Sequence, residues 1–170
     1  MSFEEALEAI PEETEKEERL LPFRIAGEWF ALRIEEVKEI VPLGRITRVP
    51  NVHAGVAGIM NLRGKIIVLY DIRVILGLEG RPNKRDSHVL ILDLGDPELE
   101  VGILSEEISQ IREVSRASLE EAPSLIERDQ PWSSNIRSIA YLNGKAINIL
   151  DLRRTFLPLI PDLEGSSSVS

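Results

Sequence analysis

No cysteine occurs in the 170 residues, which removes disulfides, thiolate metal sites and cysteine nucleophiles. Histidine is nearly as scarce: only His53 and His88 are present. Neither belongs to a His-Glu-x-x-His pattern, and no Gly-x-Ser-x-Gly elbow or Walker loop occurs. Aromatic residues amount to 5% of the chain. No apolar run approaches the roughly 18 residues that a membrane helix requires. The first residues are acidic where a secretory leader is basic, so a cytoplasmic protein is the default expectation. A clustered basic face is missing too. The formal net charge is −9, and residues 1–18 alone hold eight glutamates against Lys16, leaving the remainder near neutral at −2. Nucleic-acid binding is not expected from such a charge distribution.

What the chain does have is an internal repeat. Residues 61–73 read as a tight turn at Gly64, a short apolar strand from Ile66 to Tyr70, and a helix capped by Asp71 that runs through Leu76 to Gly77. Residues 142–153 repeat 62–73 with six identities in twelve positions: Leu62/Leu142, Gly64/Gly144, Lys65/Lys145, Ile67/Ile147, Asp71/Asp151 and Arg73/Arg153. A fainter echo sets Glu35–Ile40 against Glu106–Ile111. Each half therefore reads as a hairpin, a third strand, a loop, a second hairpin and a helix start. Two related subdomains, built as small barrels of short strands, are the expectation.

In chain order, Phe3, Leu7 and Ile10 form one helical stripe behind a Ser2–Glu5 capping box, ended by Pro11. Such a helix is marginal alone; docking on the body, docking on a partner and fraying all remain open. Residues 12–18 read as a solvated linker. Strands are expected at 20–26, 29–34, 37–41, 57–62, 88–94, 99–104, 108–114, 136–142 and 145–150, with the first hairpin turning at Gly27-Glu28. Residues 79–86 form a polar linker between the halves, 115–135 a long loop with a helical turn near 119–122, and 165–170 a disordered tail.

Chemistry-bearing patterns are few. Ser105 precedes Glu106-Glu107, and paired carboxylates do acid–base work when buried in a cleft, but the Glu-Glu pair occupies the same place in both halves, which favours a structural role. Arg63 is the more informative residue. Where the second half carries Asn143-Gly144, a favoured type I′ pair, the first half carries Arg63-Gly64, against the turn preference for Asn or Asp. Either a loose turn tolerates an exposed arginine, or the guanidinium forms a fixed ion pair or an interface anchor.

The stretch Gly58-Ile59-Met60-Asn61-Leu62-Arg63-Gly64, followed by a strand and Asp71-Ile72-Arg73, resembles the CheW-like family of bacterial chemotaxis adaptors. The resemblance extends over roughly 20–157, including Val37 to Ile40, Val49-Pro50 and Leu150-Asp151-Leu152. It implies a mainly β fold of two intertwined, five-stranded SH3-like barrels with short helices. The first barrel would lie mainly in 20–78 and the second mainly in 87–150, with a C-terminal helix at 151–157 between an acidic tail (1–19) and a disordered one (158–170). It implies a non-enzymatic cytoplasmic scaffold at membrane receptor arrays, without catalytic residues, cofactor or metal. Its partners would be the cytoplasmic tip of a methyl-accepting chemoreceptor, the regulatory domain of a CheA-type histidine kinase, and other CheW-like proteins. Receptor contact maps onto Val37, Glu39, Ile40, Gly58, Asn61, Arg63 and Gly64, with Glu39 and Arg63 paired; kinase contact maps no more finely than the first barrel. Family members usually carry proline at the position of Val68, Val-Asp at Ser105-Glu106, and Gly-Val-Ala at Ser138 to Ala140. Two other readings stay open: an adaptor that binds receptor but not kinase, and a small hydrolase or ligand-binding barrel using Glu106 and Glu107.

Overall fold

The computed structural model describes residues 17–78, 86–121 and 132–160; the expected stripe at Phe3–Ile10, the body of the 79–86 linker and the Ser-rich tail lie outside them. Twelve strands follow in order: β1 (Glu17–Ile25), β2 (Glu28–Arg33), β3 (Val37–Pro42), β4 (Val56–Leu62), β5 (Lys65–Tyr70), β6 (His88–Leu92), β7 (Val101–Ser105), β8 (Glu107–Ile108), β9 (Arg112–Ser115), β10 (Glu120–Glu121), β11 (Ile136–Leu142) and β12 (Lys145–Leu150). Helix α1 (Ile72–Leu76) follows β5, and α2 (Leu152–Phe156) follows β12. The fold is mainly β, in two sheets.

Three hairpins share one turn geometry. Ala26-Gly27, Arg63-Gly64 and Asn143-Gly144 all hold positive φ at both central positions, 52° at the first residue of each pair and 79°, 81° and 76° at the second, which is the type I′ pattern matched to strand twist. The first turn therefore falls one residue earlier than Gly27-Glu28, with Glu28 already paired to Ile25. Ala26 is held there by Glu106, whose Oε1 accepts its N–H at 2.7 Å.

The first sheet runs β3-β6-β7-β5-β4, and the second runs β10-β11-β12-β2-β1-β8 with β9 also on β1. Each half gives one hairpin away: β1–β2 joins the strands of the second half, and β6–β7 joins those of the first. The exchange is sealed by two equivalent parallel pairings, β5 with β7 and β12 with β2. Val68, at the position usually occupied by proline, uses its N–H in the first of these, donating to the Glu100 carbonyl at 2.9 Å.

The second sheet has seven strands because the expected strand 108–114 is broken. Phe23 and Arg24 pair with β8, and Glu17 to Leu20 pair with β9. Between them stands Pro22, which has no N–H to give to a ladder; it only accepts, from the Ser109 N–H at 2.9 Å. The expected helical turn near 119–122 is also displaced. A 3-10 turn forms at Arg116–Ser118, where Ser115 Oγ accepts the Ala117 N–H, and Glu120–Glu121 pairs as a strand with β11.

The largest apolar cluster draws on both sheets and both helices, with Phe23, Phe30, Leu90, Ile103, Ile72, Leu76, Leu152 and Phe156 among its members. Tyr70 meets Phe156 edge-on at 5.1 Å, and Phe30 meets Trp132 at 5.8 Å. Smaller clusters fill each sheet separately, around Met60, Ile67 and Val89 in one and Leu20, Ala31 and Ile149 in the other. The two sheets thus share one core, which follows from exchanging hairpins.

A buried charge cluster binds the same junction. Asp71 caps α1 by accepting the Arg73 N–H at 3.0 Å. The Arg73 side chain, 1% exposed, turns back to Asp71 (2.9 Å) and reaches Asp86 (2.5 Å) and Glu106 (3.3 Å). One carboxylate comes from the helix cap, one from the approach to β6 and one from the end of β7. Arg153, its repeat equivalent, is exposed, and Asp151 caps α2 through Arg154 instead. Three carboxylates against one guanidinium leave Asp86 short of compensation. Burial pushes its carboxyl up from the ordinary value, despite the Arg73 hydrogen bond, with Asp71 and Glu106 adding repulsion. A carboxyl raised in the folded state contributes stability below its unfolded value, near 4, and loses it as pH rises through the folded one. The melting temperature of Asp86→Asn relative to the parent is therefore expected to rise between pH 4 and 7; a constant difference contradicts this assignment.

Gly58 illustrates how tightly the first sheet is packed. A Cβ there would lie 2.5 Å from the Thr47 carbonyl oxygen and 2.6 Å from Ile46 Cγ2, at a φ of +150°. The close approach allows Thr47 to bridge Ile59 and extend the sheet past β4. Gly58→Ala is expected to destabilise by about 2–4 kcal/mol, through strain and overpacking together, readable as a shift in urea midpoint.

Candidate protein-docking site

The turn between β4 and β5 presents Arg63 to solvent in a left-handed conformation that disfavours most residues other than Gly, Asn and Asp. Asn61 tightens it, its Oδ1 accepting the Gly64 N–H at 3.1 Å. Across the turn, β3 offers Glu39, and the two side chains meet fork to fork: Arg63 Nη1 to Oε2 at 3.1 Å and Nη2 to Oε1 at 2.5 Å. Two parallel hydrogen bonds fix both planes, which a single lysine contact would not do. The Arg63 hydrogen bonds hold the Glu39 carboxyl below its ordinary value, and Glu39 holds Arg63 above its own. The sign of linkage is opposite to that of Asp86. Stability from Glu39 is present above its unfolded value and lost as pH falls through the folded one. At neutral pH the pair is intact.

A groove of about 320 Å³ lies beneath this pair, lined by Lys38, Glu39, Leu62, Arg63, Lys65, Ile67, Ile91 and Glu100. Lys65 faces Glu100 at 3.7 Å across it. The structure thus brings Glu39, Asn61, Arg63 and Gly64 to one place. Ile40, one step along β3, is 39% exposed and lies on the strand's other face. Val37 is half-buried against the shared core, and Gly58 is buried beneath the 46–47 loop. Neither of those two lines the groove.

The carboxylates weighed for acid–base chemistry separate. Glu106 turns inward to Arg73 and the Ala26 N–H, and Glu107 pairs with Arg24 at 2.8 Å on the surface. Ser105 is buried, its Oγ donating to the Glu107 carbonyl at 3.0 Å. His53 Nδ1 accepts the Gly55 N–H, and His88 contacts Ser87. No group of three or more metal-ligating side chains is assembled among the described residues, and no helix among them is long and apolar enough to cross a membrane. Sequence reasoning did not find Asp86 and Glu106 as partners of Arg73. The only available signal was the recurrence of Asp71 and Arg73, which says nothing about what they touch.

Known proteins place this geometry. A family model described as a CheW-like domain matches residues 19–157. The chemotaxis protein CheW of Bacillus subtilis is 28% identical over 134 residues, covering 79% of this chain and 83% of that protein. Protein PilI of Pseudomonas aeruginosa is 26% identical over 122 residues, covering 65% and 67%. Among solved structures, the scaffolding protein TtCheW from Thermoanaerobacter tengcongensis superposes with a TM-score of 0.70 at 27% identity, over 82% of this chain and 87% of that one. With the exchanged hairpins and the Asn61 to Gly64 turn in the matched region, the chain belongs to the CheW-like domain family.

Proposed function

We propose that this chemotaxis adaptor acts by joining the cytoplasmic tip of a chemoreceptor to the regulatory domain of a CheA-type kinase, in the cytoplasm and without catalysis of its own. One observation carries the reading. Arg63 and Asn143 hold the same φ of 52° at equivalent turns, yet only the first half fills that position with a side chain disfavoured there and ties it bidentately to Glu39. The local backbone does not call for arginine. An interface does, since a pre-oriented guanidinium is a frequent anchor of protein contacts.

Glu39, Asn61, Arg63 and Gly64 form the receptor-facing centre, with Ile40 at its margin and Val37 and Gly58 supporting it. The kinase contact falls within the first barrel, mainly residues 20–78. Its regulatory domain would be a body of similar fold, and other CheW-like chains would compete for the same face. Titration calorimetry of the chain against a receptor-tip helical hairpin, and separately against a kinase regulatory domain, tests the two contacts. Binding of both is expected; binding of neither removes the adaptor reading, and binding of the receptor alone replaces it with an uncoupled adaptor.

A further inference from the structure

The repeat places a second groove in the second sheet, at the position equivalent to the one beneath Arg63. Leu142, Asn143, Lys145 and Ile147 line it where Leu62, Arg63, Lys65 and Ile67 line the first. The exchanged hairpins correspond as well: Pro22 and Trp29 of β1–β2 stand in for Ile91 and Glu100, contributed by β6–β7 and the segment before β7. The chemistry is reversed. The first groove is crossed by its own ion pairs, Glu39–Arg63 and Lys65–Glu100. The second, about 150 Å³, has an apolar floor of Pro22, Trp29 and Ile147 and a cationic rim of Arg112 and Lys145, with no carboxylate in its lining. Among the described residues neither Arg112 nor Lys145 forms a salt bridge.

We propose that residues 1–16 of this chain seat in that groove, so that this face of the second sheet is covered in cis. Three observations select this occupant. Residues 1–16 carry six glutamates and one lysine, a net −5, which complements the cationic rim. Phe3, Leu7 and Ile10 supply one apolar stripe at helical spacing, suited to an apolar floor. The tether is short, since Glu17 is paired with Ser115 and Leu20 with Arg112, putting the start of β1 about 10 Å along the strand from the groove. Residues 11–16 reach roughly 20 Å when extended. A tethered segment acts at a millimolar effective concentration, so even a weak contact keeps the groove occupied. This reading does not depend on which receptor or kinase the chain binds.

The two tryptophans report the outcome, because Trp29 lines the groove while Trp132 is buried in the shared core. In the full-length chain, acrylamide quenching of Trp29 is expected to rise about two-fold on F3A/L7A/I10A substitution, as for a groove mostly occupied by its tether. The Trp132 indole signal in a nitrogen-15 spectrum stays in place. In an R112E/K145E background the same triple substitution changes nothing, since the segment is already released. Identical Trp29 quenching in parent and triple variant overturns the proposal. So does a shielding that grows with protein concentration, which would seat the segment on a second copy.

Discussion

Replacing Arg73 by alanine lowers stability by about 3–5 kcal/mol, the usual consequence of stripping one member from a buried ionic cluster. Three carboxylates, from Asp71, Asp86 and Glu106, would be left facing one another with at most 9% of any side chain exposed. Part of that loss is relieved by protonation of Asp86, whose carboxyl burial already pushes up, so the deficit shrinks as pH falls. Arg73→Lys recovers little, because an ammonium is a single point and the three acceptors lie around a planar fork. Arg153→Ala serves as the internal control. The same repeat position is solvent-exposed there, and surface substitutions stay within about 0.5 kcal/mol. Urea unfolding of the four proteins at pH 7 and pH 5 reads all of this. An Arg73→Ala midpoint no lower than that of Arg153→Ala would mean that the cluster does not hold the two sheets together.

Arg63→Asn leaves the fold intact and weakens receptor-tip binding at least ten-fold. The substitution installs the residue that the second half uses at the same φ of 52°, so the turn is retained and the melting temperature is unchanged or rises by about 2–4 °C. What disappears is the guanidinium fork on Glu39. Arg63→Glu goes further, placing like charges across the turn, and is expected to abolish measurable binding. Glu39→Ala separates orientation from charge: it leaves Arg63 cationic but unheld, and an intermediate loss is the expected result. If Arg63→Asn binds as tightly as the parent, Arg63 is not an interface residue. Ionic strength adds a check, since an exposed pair is screened over about 10 Å at 0.1 M salt.

The local features of this fold were legible because each is written in a few adjacent residues. The Asn143-Gly144 turn, the Asp71 and Asp151 caps and the Gly77 stop all stand where their residue types put them. The repeat announced two related units. It did not show which sheet each hairpin joins, since the parallel pairings of Val68 with Val101 and Asn148 with Phe30 link residues far apart in the chain. Pro22 shows the same boundary: the residues 108–114 look like one strand, and the break comes from a proline on a neighbour some 90 positions away. At the site, Arg63 stood out by violating its turn preference, while its pairing with Glu39, 24 residues away, was expected only through the family resemblance. Gly58 was read as a contact residue, and its close packing against Thr47 and Ile46 was not legible, since it depends on how the 46–47 loop folds back. The Arg73 cluster was invisible for the same long-range reason, as Asp86 read as the end of a linker and Glu106 as a candidate acid.

The central claim, that this chain couples two proteins through a fixed surface, is tested most directly by reconstitution. Receptor-tip assemblies on vesicles are mixed with a CheA-type kinase, with and without the chain, and kinase recovered in the vesicle pellet is measured. Recovery is expected to depend on the parent chain and to fall to the chain-free level with Arg63→Glu. Kinase recovery that is the same with and without the chain would contradict the account.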